Sequence, residues 1–170
     1  MNVPNTITIS RFVLIPAFVI IFFMGYIKTA FVIVMLAGAT DILDGYLARR
    51  NKQITQLGIM LDPLADKLMM LAVIISLLVT SMISWLAAAA FFFRDVSMIL
   101  GSAIFHFRGK KTVPANIMGK LTTLLYYLAF LFIFFDFRFA RSFLWIVIGF
   151  SFVTAWVYII LFRTINRSDT

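Results

Sequence analysis

Residues 41–67 read DILDGYLARRNKQITQLGIMLDPLADK and break an otherwise oily chain between two long apolar runs. The break holds Asp41, Asp44, Asp62 and Asp66, four of seven acidic residues in a chain without glutamate. The runs on either side, about 29–49 and 60–80, are each long enough for a helix that crosses a bilayer, which takes ~20 residues. A short polar link between two such helices makes them expected antiparallel neighbours. Four further runs, about 9–26, 83–107, 116–135 and 141–162, extend the pattern outward. The expected fold is therefore all-α and integral to the membrane, with six transmembrane helices. The polar segment 1–8 (MNVPNTIT) is expected to lie at the interface before the first span.

Composition agrees. The chain has 170 residues, 63% of them hydrophobic, and its mean hydropathy is +1.04. This size suits a single domain, 1–170. The start lacks the cationic leader and small-residue cleavage site of a signal peptide, so Met1 is expected in the mature protein. Zero cysteines exclude disulfide and thiolate chemistry. The net charge of +8 is spread over short links between apolar runs, which points to lipid headgroups and topology rather than to nucleic acid.

Six spans place both termini on one side. That side carries ten cations (Arg11, Arg49, Arg50, Lys52, Arg108, Lys110, Lys111, Lys120, Arg163 and Arg167), against Lys28, Arg138 and Arg141 on the other. The bias puts the termini and the Asp-rich link in the cytoplasm.

On a helix, Asp41, Asp44, Gly45 and Ala48 share about 100° of one face. Asp62 and Asp66 are four apart and share another. Across a narrow cavity the two pairs would repel, and an ionised Asp in the membrane costs at least ~2.5–3.5 kcal/mol. Arg49, Arg50 and Lys67, the cations near in sequence, do not balance them. Divalent ions would: Mg²⁺ prefers oxygen ligands, and two ions form a clamp suited to displacement at phosphorus. Asp holds such oxygens closer to the backbone than Glu, with less entropy lost. Gly45 and Ala48 leave room for a bulky ligand such as a base or ribose. Each acid also has a plainer reading: Asp62-Pro63 is an ordinary helix start, and Asp41 and Asp44 could mark a helix end.

These residues resemble the signature of the CDP-alcohol phosphotransferase family, D-x-x-D-G-x-x-A-R followed by G-x-x-x-D-x-x-x-D. Here it reads Asp41, Asp44, Gly45, Ala48, Arg49, then Gly58, Asp62 and Asp66. The resemblance implies a six-helix membrane enzyme, usually a homodimer, that moves a phosphatidyl group from CDP-diacylglycerol to an alcohol and releases CMP. It further implies that Asp41, Asp44 and Asp62 ligate metal, Mg²⁺ or Mn²⁺, in a two-ion site. Asp44, Gly45, Ala48, Arg49 and Gly58 would serve the donor nucleotide. Asp66 would be the general base and could also touch metal.

For the acceptor, the candidates are Arg11, Arg94 and Lys120. An intramembrane Arg such as Arg94 is a candidate by default, although a structural pair with Asp95 or a motif acid is the plainer role. Lys120 could snorkel and Arg11 could set topology. If the three converge, they form a cationic pocket for a phosphorylated alcohol. N-x-x-T-x-x-R and G-K-x-x-T pieces like those here occur in members that make phosphatidylglycerophosphate, so the expected acceptor is sn-glycerol 3-phosphate. Those members commonly carry Arg-Glu where this chain has Arg94-Asp95, and an Arg-Asp pair also resembles the family's cardiolipin synthases, which use phosphatidylglycerol. His106 reads as interfacial. Ala87 to Ala90 read as a packing surface for a neighbouring helix or second protomer. Outside enzymes, a cation transporter or channel subunit is the competing class, but its acids would be strung along a pathway rather than gathered at one end.

Overall fold

The computed structural model describes residues 3–50, 56–107 and 117–167, with side chains except at 3–9, 42, 44–50, 56–60, 62, 63, 102–107 and 167. The described residues form six helices and no strand: α1 Val3–Phe23, α2 Ile27–Arg50, α3 Gln56–Val79, α4 Trp85–Phe107, α5 Ile117–Phe134 and α6 Ala140–Arg167. Each overlies one of the six apolar runs. Two differences stand out. First, α1 begins at Val3, so most of the segment set apart as 1–8 is continuous helix with the first run. Second, α3 begins at Gln56, so Asp62 and Pro63 lie inside the helix rather than starting it. Membrane helices tolerate an internal proline because neighbouring groups satisfy the freed carbonyl.

The chain divides into two compact units, Met1–Met82 and Ile83–Thr170. In the first, α1 is the shared partner: it packs along both α2 and α3, which touch each other over a shorter stretch than their short link suggests. Its core joins Phe18 and Phe22 of α1, Ala30 and Val34 of α2, and Val73 and Leu77 of α3. Gly25 closes the α1–α2 turn at φ +88°. The Tyr26 amide bonds the Ile21 carbonyl (3.2 Å) and the Gly25 amide that of Phe22 (3.0 Å), a paired arrangement that needs a left-handed residue just past the helix end. The same bonds end α3 around Ser81 and α5 around Asp136, both non-glycine residues at positive φ.

In the second unit α6 packs against both α4 and α5. The α5–α6 seam carries two buried hydroxyl contacts, Thr122 to Thr154 and Tyr126 donating to Ser151, each 3.0 Å. Ser151 in turn donates to the Ile148 carbonyl at 2.7 Å. Every hydroxyl is thus satisfied inside an apolar seam, as burial demands. The Tyr126 ring meets Phe91 of α4 edge-on at 5.0 Å and stacks with Phe130 at 6.3 Å. Tyr126→Phe should therefore keep the ring packing and lose only the hydroxyl contact. Thermal unfolding in detergent should show a loss of about 1 kcal/mol, the scale of interhelical hydrogen bonds in membranes. A loss of several kcal/mol would mean the hydroxyl has a larger role.

The outer faces are strongly apolar: Trp85 and Phe93 are each 68% exposed and Ile146 67%. Patches of that kind are foreign to a soluble monomer and natural against lipid. Among the described residues α5 and Ala140–Asn166 of α6 are long and apolar enough to cross a membrane, while Ser10–Phe23 of α1 is apolar but shorter.

Candidate functional site

The site's first pairing lies in the first unit. Arg11 Nη1 donates to Asp41 Oδ1 at 2.5 Å, joining α1 to α2. The guanidinium is buried, at 3% exposure, whereas the Asp41 side chain is 45% exposed. The turn explains the match: Arg11 and Asp41 each lie 15 positions from Tyr26, so an antiparallel α1–α2 hairpin brings them level. A charge that merely set topology would reach water. Arg11 does not, so its sequence-based alternative as a topology charge is set aside.

The helical backbone runs unbroken through 41–48 and through 56–66, so the spacings of three and four keep their meaning. Asp66 is half-buried on α3. Leu68, two residues on, lines the same groove as Phe12, the neighbour of Arg11. The Asp66 turn of α3 and the Arg11 turn of α1 are thereby placed at a similar depth. Asp44, Gly45, Ala48 and Arg49 fall in the last turns of α2, and Gly58 and Asp62 in the first turns of α3; their side chains lie outside the described residues.

The remaining candidates are in the second unit. Arg94, on α4, donates from Nη1 to Asp95 Oδ1 at 2.8 Å. Both side chains are largely buried, and Arg94 Nε has no hydrogen-bond partner among the described residues. The structural pair anticipated for Arg94 therefore exists, with unused donor capacity beside it. Lys120 is exposed in the first turn of α5. The side chain of His106 lies outside the described residues. Ala87 and Ala88 of the alanine run are buried and Ala89 is exposed.

Among the described residues no three metal-ligating side chains come together. The two described motif carboxylates, Asp41 and Asp66, sit on different helices of one unit and offer the hard oxygen donors that a divalent cation takes. The donor chemistry fits such an ion.

A family model described as CDP-alcohol phosphatidyltransferase matches residues 1–161. The chain belongs to the CDP-alcohol phosphatidyltransferase family. Three relatives are each named CDP-diacylglycerol–glycerol-3-phosphate 3-phosphatidyltransferase. The one from Pseudomonas fluorescens is 44% identical over 93 residues, 53% of this chain and 48% of the relative. That from Haemophilus influenzae is 38% identical over 104 residues, 59% and 56% of the two chains. A Yersinia pestis relative is 37% identical over 131 residues, 73% of this chain and 71% of the relative. The chain thus spans about half the length of the first two. For a CDP-alcohol phosphatidyltransferase with such apolar helices, the setting is the membrane.

What the sequence reading missed was the partner of Asp41. It weighed only cations close by in sequence, whereas Arg11 is 30 residues away. Counting outward from the turn at Gly25 would have found it.

Proposed function

We propose that this chain transfers the phosphatidyl group of CDP-diacylglycerol to sn-glycerol 3-phosphate, giving phosphatidylglycerophosphate and CMP. The observation that carries the reading is the complete family motif on two unbroken helices, with Asp41 held by a buried arginine. The printed names of the relatives support the acceptor.

In the reaction the acceptor's hydroxyl oxygen forms a bond to the phosphatidyl phosphorus, and the bond from that phosphorus to the CMP oxygen breaks. The hydroxyl proton passes to the Asp66 carboxylate and then to water, while CMP leaves as the phosphate monoester. Asp66 suits this role at half-burial, where a bound hydroxyl can be held within hydrogen-bond reach. Asp41, Asp44, Asp62 and Asp66 would hold Mg²⁺ or Mn²⁺, two ions in the proposed arrangement, which supply positive charge to the donor diphosphate. Gly45, Ala48, Arg49 and Gly58 are assigned to the donor nucleotide. Arg11 tethers Asp41 and is also assigned, with Arg94 and Lys120, to the acceptor. Arg94 is assigned to the acceptor's phosphate, supported by an Nε with no hydrogen-bond partner among the described residues, and Lys120 is a further cation for it.

The proposal includes six membrane-spanning helices, supported by the match of helices to apolar runs, with the first residues near the interface. It also includes a cytoplasmic face for the motif and both termini, supported by a cation bias that stands at nine to three once the buried Arg11 is left out of the ten. The chain acts as one functional domain and as a homodimer in this reading.

Purified protein with Mg²⁺ or Mn²⁺ should release CMP from CDP-diacylglycerol only when an acceptor is present. In a panel of glycerol 3-phosphate, phosphatidylglycerol, inositol phosphate and serine, the first should turn over fastest. Release with phosphatidylglycerol alone would reassign the chain to cardiolipin synthesis, and no release with any acceptor would end the enzymatic reading.

A further inference from the structure

Arg138 and Arg141 stand three positions apart, both exposed, where the α5–α6 turn enters α6. We infer that this turn binds one anionic phospholipid, its phosphate between the two arginines and an acyl chain against the turn's phenylalanines. The inference takes its side of the membrane from the six-span reading above. It goes beyond that reading by placing a lipid in the leaflet opposite the motif, where the reaction does not occur.

Three features argue for this occupant. The first is place. At ~1.5 Å per residue α5 rises about 27 Å, close to the ~30 Å hydrocarbon core. Ala140–Asn166 of α6 is also long and apolar enough to cross. The turn that joins them, 135–139, therefore stands at a surface of the bilayer. The second is an aromatic platform. The Phe132 ring meets Phe137, Phe139 and Phe143 edge-on at 5.4, 4.8 and 5.1 Å. Phe137 and Phe139 are each about half exposed. A phenylalanine ring has no polar atom to turn toward water, so open rings at this depth suit hydrocarbon. The third is charge. Topology disfavours cations on this side, yet two of the three assigned to it stand here. Neither is ion-paired among the described residues. The guanidinium fork matches phosphate oxygens. Two arginines against Asp136, the turn's one acid, leave one positive charge, which complements the single negative charge of a phosphodiester lipid. A zwitterionic lipid brings its own ammonium and leaves that charge unanswered.

Trp145 can report on the site. It lies four positions past Arg141, one turn further along the same face of α6, and is exposed. Trp85→Phe and Trp156→Phe, both at exposed positions, leave it as the only tryptophan of the chain. The protein would be placed in phosphatidylcholine nanodiscs in which a small, equal fraction of lipid is chain-brominated phosphatidylglycerol or chain-brominated phosphatidylcholine. Quenching of Trp145 is then titrated for each. The anionic lipid should be preferred about fivefold, the effect of one net charge at a lipid surface.

Arg138→Gln combined with Arg141→Gln should abolish the preference and leave quenching by brominated phosphatidylcholine unchanged. Equal quenching by the two lipids in the parent protein would overturn the inference, and so would a preference that survives the double variant. Inorganic phosphate at matched ionic strength should not displace the lipid; displacement would make the arginines a site for the free anion instead. Quenching by neither lipid would overturn the membrane-spanning reading of α6 as well. Equal quenching leaves that reading intact and removes the lipid site alone.

Discussion

Asp66→Asn should lower CMP release by about 10³-fold, inside the ~10²–10⁴-fold range of general-base contributions, while CDP-diacylglycerol still binds. The substitution keeps the shape of the side chain and removes its capacity to take a proton. The half-buried position of Asp66 on an unbroken helix argues against a gross folding defect as the source of such a loss. Single-turnover CMP release and donor titration, run on the same preparation, separate the possibilities. A rate near that of the wild type would remove Asp66 as the base. Loss of donor binding in step with the rate would make it an ion ligand first.

The second large effect concerns Arg11 and Asp41, and here stability and activity should part company. Asp41→Asn removes a counter-charge from a buried guanidinium. Breaking a buried ion pair costs ~3–5 kcal/mol, and the partial exposure of Asp41 reduces this to about 2–3 kcal/mol. Arg11→Met removes the buried charge itself and leaves a carboxylate that water can reach, so its cost should be smaller. The double variant should regain much of the stability lost in Asp41→Asn, with a coupling energy of about 1–3 kcal/mol. It should nonetheless release no CMP, because an assigned ion ligand is gone. Thermal unfolding in detergent with EDTA, across the four proteins of the cycle, gives the coupling directly. Additive losses would show that the 2.5 Å contact carries no net stability.

The helices were the most legible part of the sequence. Long apolar runs punctuated by polar links leave the backbone little choice in a bilayer, and all six elements lie where the runs predicted. The family was legible too, since the type and spacing of the motif residues carry that signal. Partnership between helices was not. The short link between α2 and α3 suggested a close pair, but α1 is the helix both pack against, a choice made by side-chain fit along whole faces. Asp62-Pro63 misled locally because proline at a helix start and proline inside a membrane helix look alike in sequence. Hairpin register, by contrast, was available and unused. The contacts of Arg11 with Asp41 and of Thr122 with Thr154 both join residues equidistant from a tight turn, at Tyr26 and Arg138 respectively.

The left-handed residues that end three of the helices carry one more consequence. Ser81 and Asp136 hold a conformation that glycine takes without a clash, so these two bends keep a side chain at an energetic cost that the bend at Gly25 does not bear.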